Sequence, residues 1–323
     1  DSNVAGAAVA ALKKLGVKDA KPGQNINDGD LELVLDYYIN SRDRRQKYSA
    51  QKKLEVYSLK NPEKFSALVA KADAKQLKAL ITVMANAGGD KNNGMLLKML
   101  KSGNPAGIQS RVLYSLKGQK KYDEKIIEIV MDMALSDKSR TLALNAKDVI
   151  GYMINSPESK KTIYEICLKT LTKGDYNNIK QVFMLLGNRI DDQRFVKPLA
   201  ALLDAKDANV RHGAANCLRN LKNKLKDDKI NQQIDDKIMT STLPDLTSSD
   251  RGKCLAALNR LVMFNIKSPE VAEKVIPLAG SSDYQIKRVA IQLLNMQGNA
   301  ATGNIDSIAK KFADSTGATL RAY

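Results

Sequence analysis

The stretch DANVRHGAANCLRNL, residues 207–221, holds the chain's only histidine, His212, and one of its three cysteines, Cys217. Two readings compete for it. A histidine and a cysteine on one short segment can be a nucleophile with its base, or half of a metal site. The same residues also spell a helix start: Asp207 as the capping residue, an apolar-basic pair at Val210 and Arg211, then small or apolar residues three and six positions after the arginine, Ala214 and Cys217.

The second pattern recurs along the chain. It fits Leu77-Lys78 with Ile81 and Met84, Ile108-Gln109 with Val112 and Ser115, Ser139-Arg140 with Ala143 and Ala146, and Ile179-Lys180 with Phe183 and Leu186. It fits again at Gly252-Lys253 with Ala256 and Asn259, and at Ile286-Lys287 with Ala290 and Leu293. The key position therefore falls at 78, 109, 140, 180, 211, 253 and 287, with spacings of 31, 31, 40, 31, 42 and 34 residues. Three equal periods of 31 mark an internal repeat.

Each period also contains an earlier apolar helix, such as EKFSALVAKA, DEKIIEIVMDMAL or PEVAEKVIPLAG, so the unit is a helical hairpin. No stretch shows sustained period-two alternation, and with 8 prolines and 19 glycines the breaks are short polar clusters such as KNPEK, KGDYN and GSSDY. A lone hairpin cannot bury both apolar faces, so neighbours must stack.

The registers D-A-N-V-R-x-x-A-A-x-x-L and D-Y-Q-I-K-R-V-A-I-Q-L-L resemble HEAT repeats of the short-period type, from about residue 62 to the C-terminus. The resemblance implies an all-α fold: a right-handed α-α solenoid of about seven hairpins over residues 61–323, with a helical cap over residues 1–60. It also implies that the second helices line a concave surface. For function it implies little, because HEAT-like arrays serve as scaffolds, transport receptors, lyase subunits and DNA-repair enzymes.

Three irregularities stand out. The 42-residue interval before Lys253 contains the polar run KNKLKDDKINQQIDDKI, which predicts a lengthened helix and loop on one edge. Residues 1–60 do not fit the repeat and predict at least one helix followed by a basic segment that caps the first repeat. At the far end GNIDSIAKKFAD reads as the start of an eighth repeat, with Leu320-Arg321 in register just before Tyr323; it fits either a frayed cap or a truncated array.

The chain has 323 residues and a formal net charge of +17, from 52 Lys and Arg against 35 Asp and Glu, which predicts attraction to anionic partners. No apolar run approaches the roughly 18 residues that a membrane span needs. An odd number of cysteines argues against a disulfide framework, and Cys167, Cys217 and Cys254 all sit among apolar residues as small buried hydrophobes. The chain begins at Asp1 without a methionine, which fits a trimmed start or a lost signal peptide, so a periplasmic or secreted location is favoured over a cytoplasmic one.

Geometry decides the chemistry of the opening stretch. Five residues at about 100° each place His212 and Cys217 about 140° apart around the helix, so they do not converge. A zinc site from His212, Cys167, Cys217 and Cys254 would lack any closely spaced cysteine pair. No phosphate-binding, dinucleotide-binding, zinc-protease or serine-hydrolase motif occurs, and the pairs Asp191-Asp192, Asp227-Asp228 and Asp235-Asp236 read as helix caps and solvated charge. The expectation is a protein that is not an enzyme, with no cofactor and no metal.

The strongest functional candidate is the repeated slot itself: Lys78, Gln109, Arg140, Lys180, Arg211, Lys253 and Lys287, with Arg321 on register beyond them. A row of cations along a groove would hold an acidic segment of a partner protein, or phosphates of a nucleic acid. The alternative is a structural ladder, because in HEAT-like proteins the arginine of this slot bonds an aspartate or carbonyl of a neighbouring repeat. Asp137, Asp175, Asp207, Asp250 and Asp283 stand ready as partners. A second basic patch comprises Arg42, Arg44, Arg45, Lys47, Lys52 and Lys53, with Tyr48 among them.

The function expected from the sequence is a non-enzymatic scaffold that holds a partner protein on its basic concave face. The alternative is a nucleic-acid-binding protein. A DNA glycosylase fits less well, since those HEAT-like enzymes are expected to use tryptophan and this chain has none. A lyase or chaperone partner for a chromophore-bearing protein resembles other short arrays without a residue here to support it.

Overall fold

In a computed structural model, the described residues are 30–298, apart from 102, 120, 137 and 138. The proposed eighth repeat, Arg321 and Asp137 lie outside them. Sixteen α-helices and no strand occur among the described residues. In chain order they are α1 (Leu31–Asn40), α2 (Arg44–Lys60), α3 (Pro62–Lys71), α4 (Ala74–Ala87), α5 (Asp90–Leu100), α6 (Ala106–Leu116), α7 (Glu124–Leu135) and α8 (Arg140–Met153). There follow α9 (Pro157–Lys173), α10 (Tyr176–Leu186), α11 (Val196–Ala201), α12 (Ala208–Leu225), α13 (Asp228–Leu246), α14 (Arg251–Phe264), α15 (Pro269–Ala279) and α16 (Tyr284–Gln297).

The chain divides into two compact units, Asp1–Ile166 and Cys167–Tyr323, and the boundary falls inside α9. In the first unit α5 packs on α6 and α7 on α8 as hairpins, while α2, α4, α6 and α8 pack each on the next. In the second unit α11 with α12, α13 with α14 and α15 with α16 form hairpins, and α10, α12, α14 and α16 stack in the same way. The first helices stack as well, α3 on α5 on α7 and α11 on α13 on α15. Each unit is thus a short all-α solenoid of two helix rows.

Sixteen helices are one pair more than the expected seven hairpins hold; that pair is α1 with α2, which fall within the residues expected to form the helical cap and pack on each other and both against α4. The expected basic segment, residues 41–53, lies for the most part on a full helix, α2, started by Asp43, whose carboxylate accepts from the Arg45 and Gln46 N–H groups. Its apolar stripe is narrow, with Ala50, Leu54 and Tyr57 buried, and that is why the repeat pattern does not reach it.

Local sequence explains the element starts. Asp73, Asp175, Asp207, Asp250 and Asp283 each cap a second helix by accepting one or more backbone N–H groups that the helix itself leaves unpaired. At Asp73 the cap is reciprocal, since the Gln76 side chain accepts from the Asp73 N–H. Pro198 breaks up the helix before α12, so α11 has only 6 residues between two short 3-10 turns. The polar run expected as a lengthened helix and loop becomes the two longest helices, α12 and α13, divided at Lys226 with a left-handed backbone (φ 48°).

The opening stretch forms most of α12. Val210, Ala214, Ala215, Cys217, Leu218 and Leu221 are buried on its inner face. Gly213 lies where α12 meets α10: a Cβ at that position would sit 2.3 Å from the Phe183 ring. The glycine sets how closely these two helices approach.

Candidate functional site

The repeated slot occupies places that are not equivalent once the helix starts are known. Gln109, Arg211 and Lys287 lie four residues after the helix-start residues Pro105, Asp207 and Asp283; Lys78 and Lys180 lie five after Asp73 and Asp175. Arg140 lies one after Ser139 and Lys253 three after Asp250. The side chains accordingly do different things.

Gln109 Nε2 donates to the Leu100 and Lys101 carbonyls at 2.8 and 2.9 Å. Arg211 Nη1 donates to the Ala205 and Lys206 carbonyls at 2.7 and 2.8 Å. In both cases the acceptors are where the first helix of the same hairpin ends, with carbonyls lacking helical partners. Lys180 reaches instead to the cap of the next second helix, 3.0 Å from Asp207 Oδ2. Together with the Val210 and Asn209 N–H groups, this ammonium holds the Asp207 carboxyl below its ordinary range. Arg251 makes the corresponding bond to Asp283 and also donates to Gln285 Oε1 at 2.8 Å, and it likewise lowers the Asp283 carboxyl. Lys78, Arg140 and Lys253 are exposed and Lys287 half-buried, and none of these four side chains makes a hydrogen bond or ion pair among the described residues.

Of the second basic patch, Arg42, Arg44, Arg45 and Lys47 are exposed around the start of α2. Lys52 is 2.5 Å from the buried Glu55 and 5.5 Å from the Tyr48 ring centre. Lys53 is half-buried, and desolvation lowers its ammonium pKa despite the opposing field of Asp30.

All three cysteines are buried and free, and burial pushes the Cys167 and Cys217 thiols up to about 12. Such thiols are not nucleophiles at neutral pH. His212 is exposed on α12, away from Cys217. No cluster of metal-ligating side chains occurs among the described residues, and no described helix is long and apolar enough to cross a membrane.

A feature the sequence reading missed is where large apolar side chains reach solvent. Nine do so among the described residues: Leu33, Tyr48, Leu59, Tyr114, Leu144, Tyr152, Tyr176, Met184 and Tyr284. Apart from Leu33 on α1, every one lies on α2, α6, α8, α10 or α16, the helices that stack as one row in each unit. None lies on a first helix from α3 to α15. In the first unit Tyr114 is 63% exposed and Tyr152 49% exposed, with the Lys117 ammonium 5.3 and 5.7 Å from their ring centres. Arg111 lies 5.6 Å from the Tyr114 ring and donates to Thr82 Oγ1 at 2.9 Å, while Lys117 pairs with Asp148. The aromatic rings are therefore held by cations on a surface that is itself anchored between α4, α6 and α8. The signal was present in the sequence as tyrosines at second-helix positions, including the paired starts DYNNIK and DYQIKR.

In the second unit α12 and α14 enclose an open cleft of ≈ 600 Å³, whose lining includes Arg211, His212, Lys253 and Arg260. The slot members Arg211 and Lys253 are thus brought to one cleft.

Stacked hairpins with aspartate-capped second helices give this chain the fold of the HEAT-like helical-repeat proteins. Among solved structures it is similar to the karyopherin Kap121p, at 11% identity and a TM-score of 0.51 over 90% of this chain and 36% of that one. A mutant of Kap121p aligns over the same shares at 10% identity and a TM-score of 0.50. At such identity the likeness is one of fold, and this chain spans about a third of the length of these two Kap121p chains. No family profile and no curated protein matches the sequence.

Proposed function

We propose that this protein is a non-enzymatic scaffold that holds a partner protein against its second helices, which form one row in each unit. One observation carries the reading: among the described residues, eight of nine exposed large apolar side chains fall on second helices, where water-exposed tyrosine and methionine beside cations are the composition of protein-binding surfaces. Solvation alone gives no reason for the first helices to lack them. Lys78, Arg140, Lys253 and Lys287, without an ion-pair partner among the described residues, add positive charge to second helices and favour an acidic partner surface. Kap121p itself is described bound to Pho4p and to Nup53p; the reading for this chain rests on its own surface.

The test is capture of polypeptides from an extract of the source cells, comparing the wild type with Tyr114→Ala/Tyr152→Ala. These rings are exposed, so the variant keeps its helical circular dichroism and its Tm. Loss of a specific captured polypeptide is the expected result. Unchanged capture, or retention of nucleic acid in place of protein after washing at about 0.3 M salt, where phosphate contacts weaken steeply, would overturn it.

A further inference from the structure

The cleft between α12 and α14 contains a charge that the fold does not pair. Arg260, on α14, is only 8% exposed, yet its one hydrogen bond is a long 3.5 Å contact from Nη1 to Thr242 Oγ1, and it makes no ion pair among the described residues. Burial disfavours its charged form, and Arg211 on the facing helix adds to that, outweighing the fields of Asp245 and Asp204. A guanidinium has five donors and stays charged in proteins; none of the Arg260 nitrogens is a sealed, unpartnered atom, so the donors that Thr242 does not take remain open to the cleft that Arg260 lines.

We propose that this cleft seats the carboxylate of one glutamate side chain from an acidic segment of the partner polypeptide, with Arg260 as the anchor and Arg211 and Lys253 beside it. The proposal rests on the protein-binding reading above and specifies what the partner brings. Three features select this occupant. The walls carry three cations, Arg211, Lys253 and Arg260, and two acids, Asp245 and Asp250, an excess of one charge that matches a monoanion better than a phosphate. A planar guanidinium receives a carboxylate through two parallel bonds. Apolar surface from Ala208, Ala215 and Met263 lies along the same cleft for the methylene stem, and no tyrosine or phenylalanine lines it to stack a base.

The experiment is a fluorescence-polarisation titration of the full chain at about 0.15 M salt, with a fluorescein-labelled dodecapeptide of alternating glutamate and glycine. The same peptide with glutamine, the same with phosphoserine, and dodecathymidylate serve as competitors. The glutamate peptide is expected to bind about tenfold more tightly than the glutamine one. Arg260→Met, which replaces a buried unpaired charge by an apolar chain of similar size, should lose that preference without lowering the Tm. Lys253→Glu changes an exposed side chain, keeps the fold, and should weaken the glutamate peptide severalfold. Equal binding of the two peptides, wild-type affinity in either variant, or stronger competition by the phosphoserine peptide or the oligonucleotide overturns the proposal. If both cleft variants still capture the cellular partner that Tyr114→Ala/Tyr152→Ala loses, the cleft assignment fails and the scaffold reading stands. If the glutamate peptide binds as expected while no polypeptide is captured, the scaffold reading fails instead.

Discussion

Gln109 and Arg211 differ in charge and in length, yet both donate twice to the carbonyls that end the preceding helix. That place asks for two donors within reach and is indifferent to charge. Gln109→Leu, which leaves those carbonyls without their donor at a buried position, should destabilise by about 1–2 kcal/mol in chemical denaturation. Gln109→Arg should remain within about 0.5 kcal/mol of wild type. Equal losses in both would show that the site needs the shape of glutamine. Here the sequence pattern was both informative and misleading. It located the second helices from α4 to α16 through Val210, Ala214 and most of their counterparts, because burial dictates those residue types, although Gly252, Ala256 and Asn259 are exposed. It merged slot residues standing one, three, four and five positions from their helix starts, since an apolar-basic pair does not record where a cap begins.

Among elements, the starts of the second helices concentrate the electrostatics. Asp207 and Asp283 cap their own helices and also receive Lys180 and Arg251 from the preceding second helix, so one carboxylate serves both helix start and helix stacking. Both carboxyls are held below their ordinary range. A lowered folded-state pKa stabilises the protein at every pH above the unfolded value, about 3.9, and that stabilisation disappears as the pH falls through the folded value. The Tm difference between wild type and Lys180→Met should therefore be constant from neutral pH down to about 5 and shrink below about 4. A difference that persists undiminished at pH 2 would assign the effect to the packing of the lysine stem. Helix α2 shows the limit of reading elements from pattern: RRQKYSAQKK is polar nearly all round, and it is helical because Asp43 starts it, Leu54 and Tyr57 are buried, and the helix packs on α1 and α4.

On the scale of the whole chain, a net charge of +17 and a localised apolar row produce different kinds of attraction. Diffuse charge should give weak association with any polyanion, and binding of heparin, measured by polarisation, should vanish between about 0.05 and 0.2 M salt. Capture through the second-helix row should survive that range, because burial of tyrosine and methionine is not screened. A single salt dependence for both would mean that charge alone governs association. The exposed apolar side chains of the second helices carry no catalytic motif, since they are five tyrosines, two leucines and a methionine whose meaning depends on which helices carry them.

The inward placement of Cys167, Cys217 and Cys254 has a practical corollary. With every native thiol sequestered, one cysteine introduced on a first helix, for instance in place of the exposed Glu128 on α7, becomes the sole fast-reacting handle among the described residues. A chain tethered there to a sensor surface would be fixed by α7 and would leave Tyr114, Tyr152 and the α12–α14 cleft unmodified.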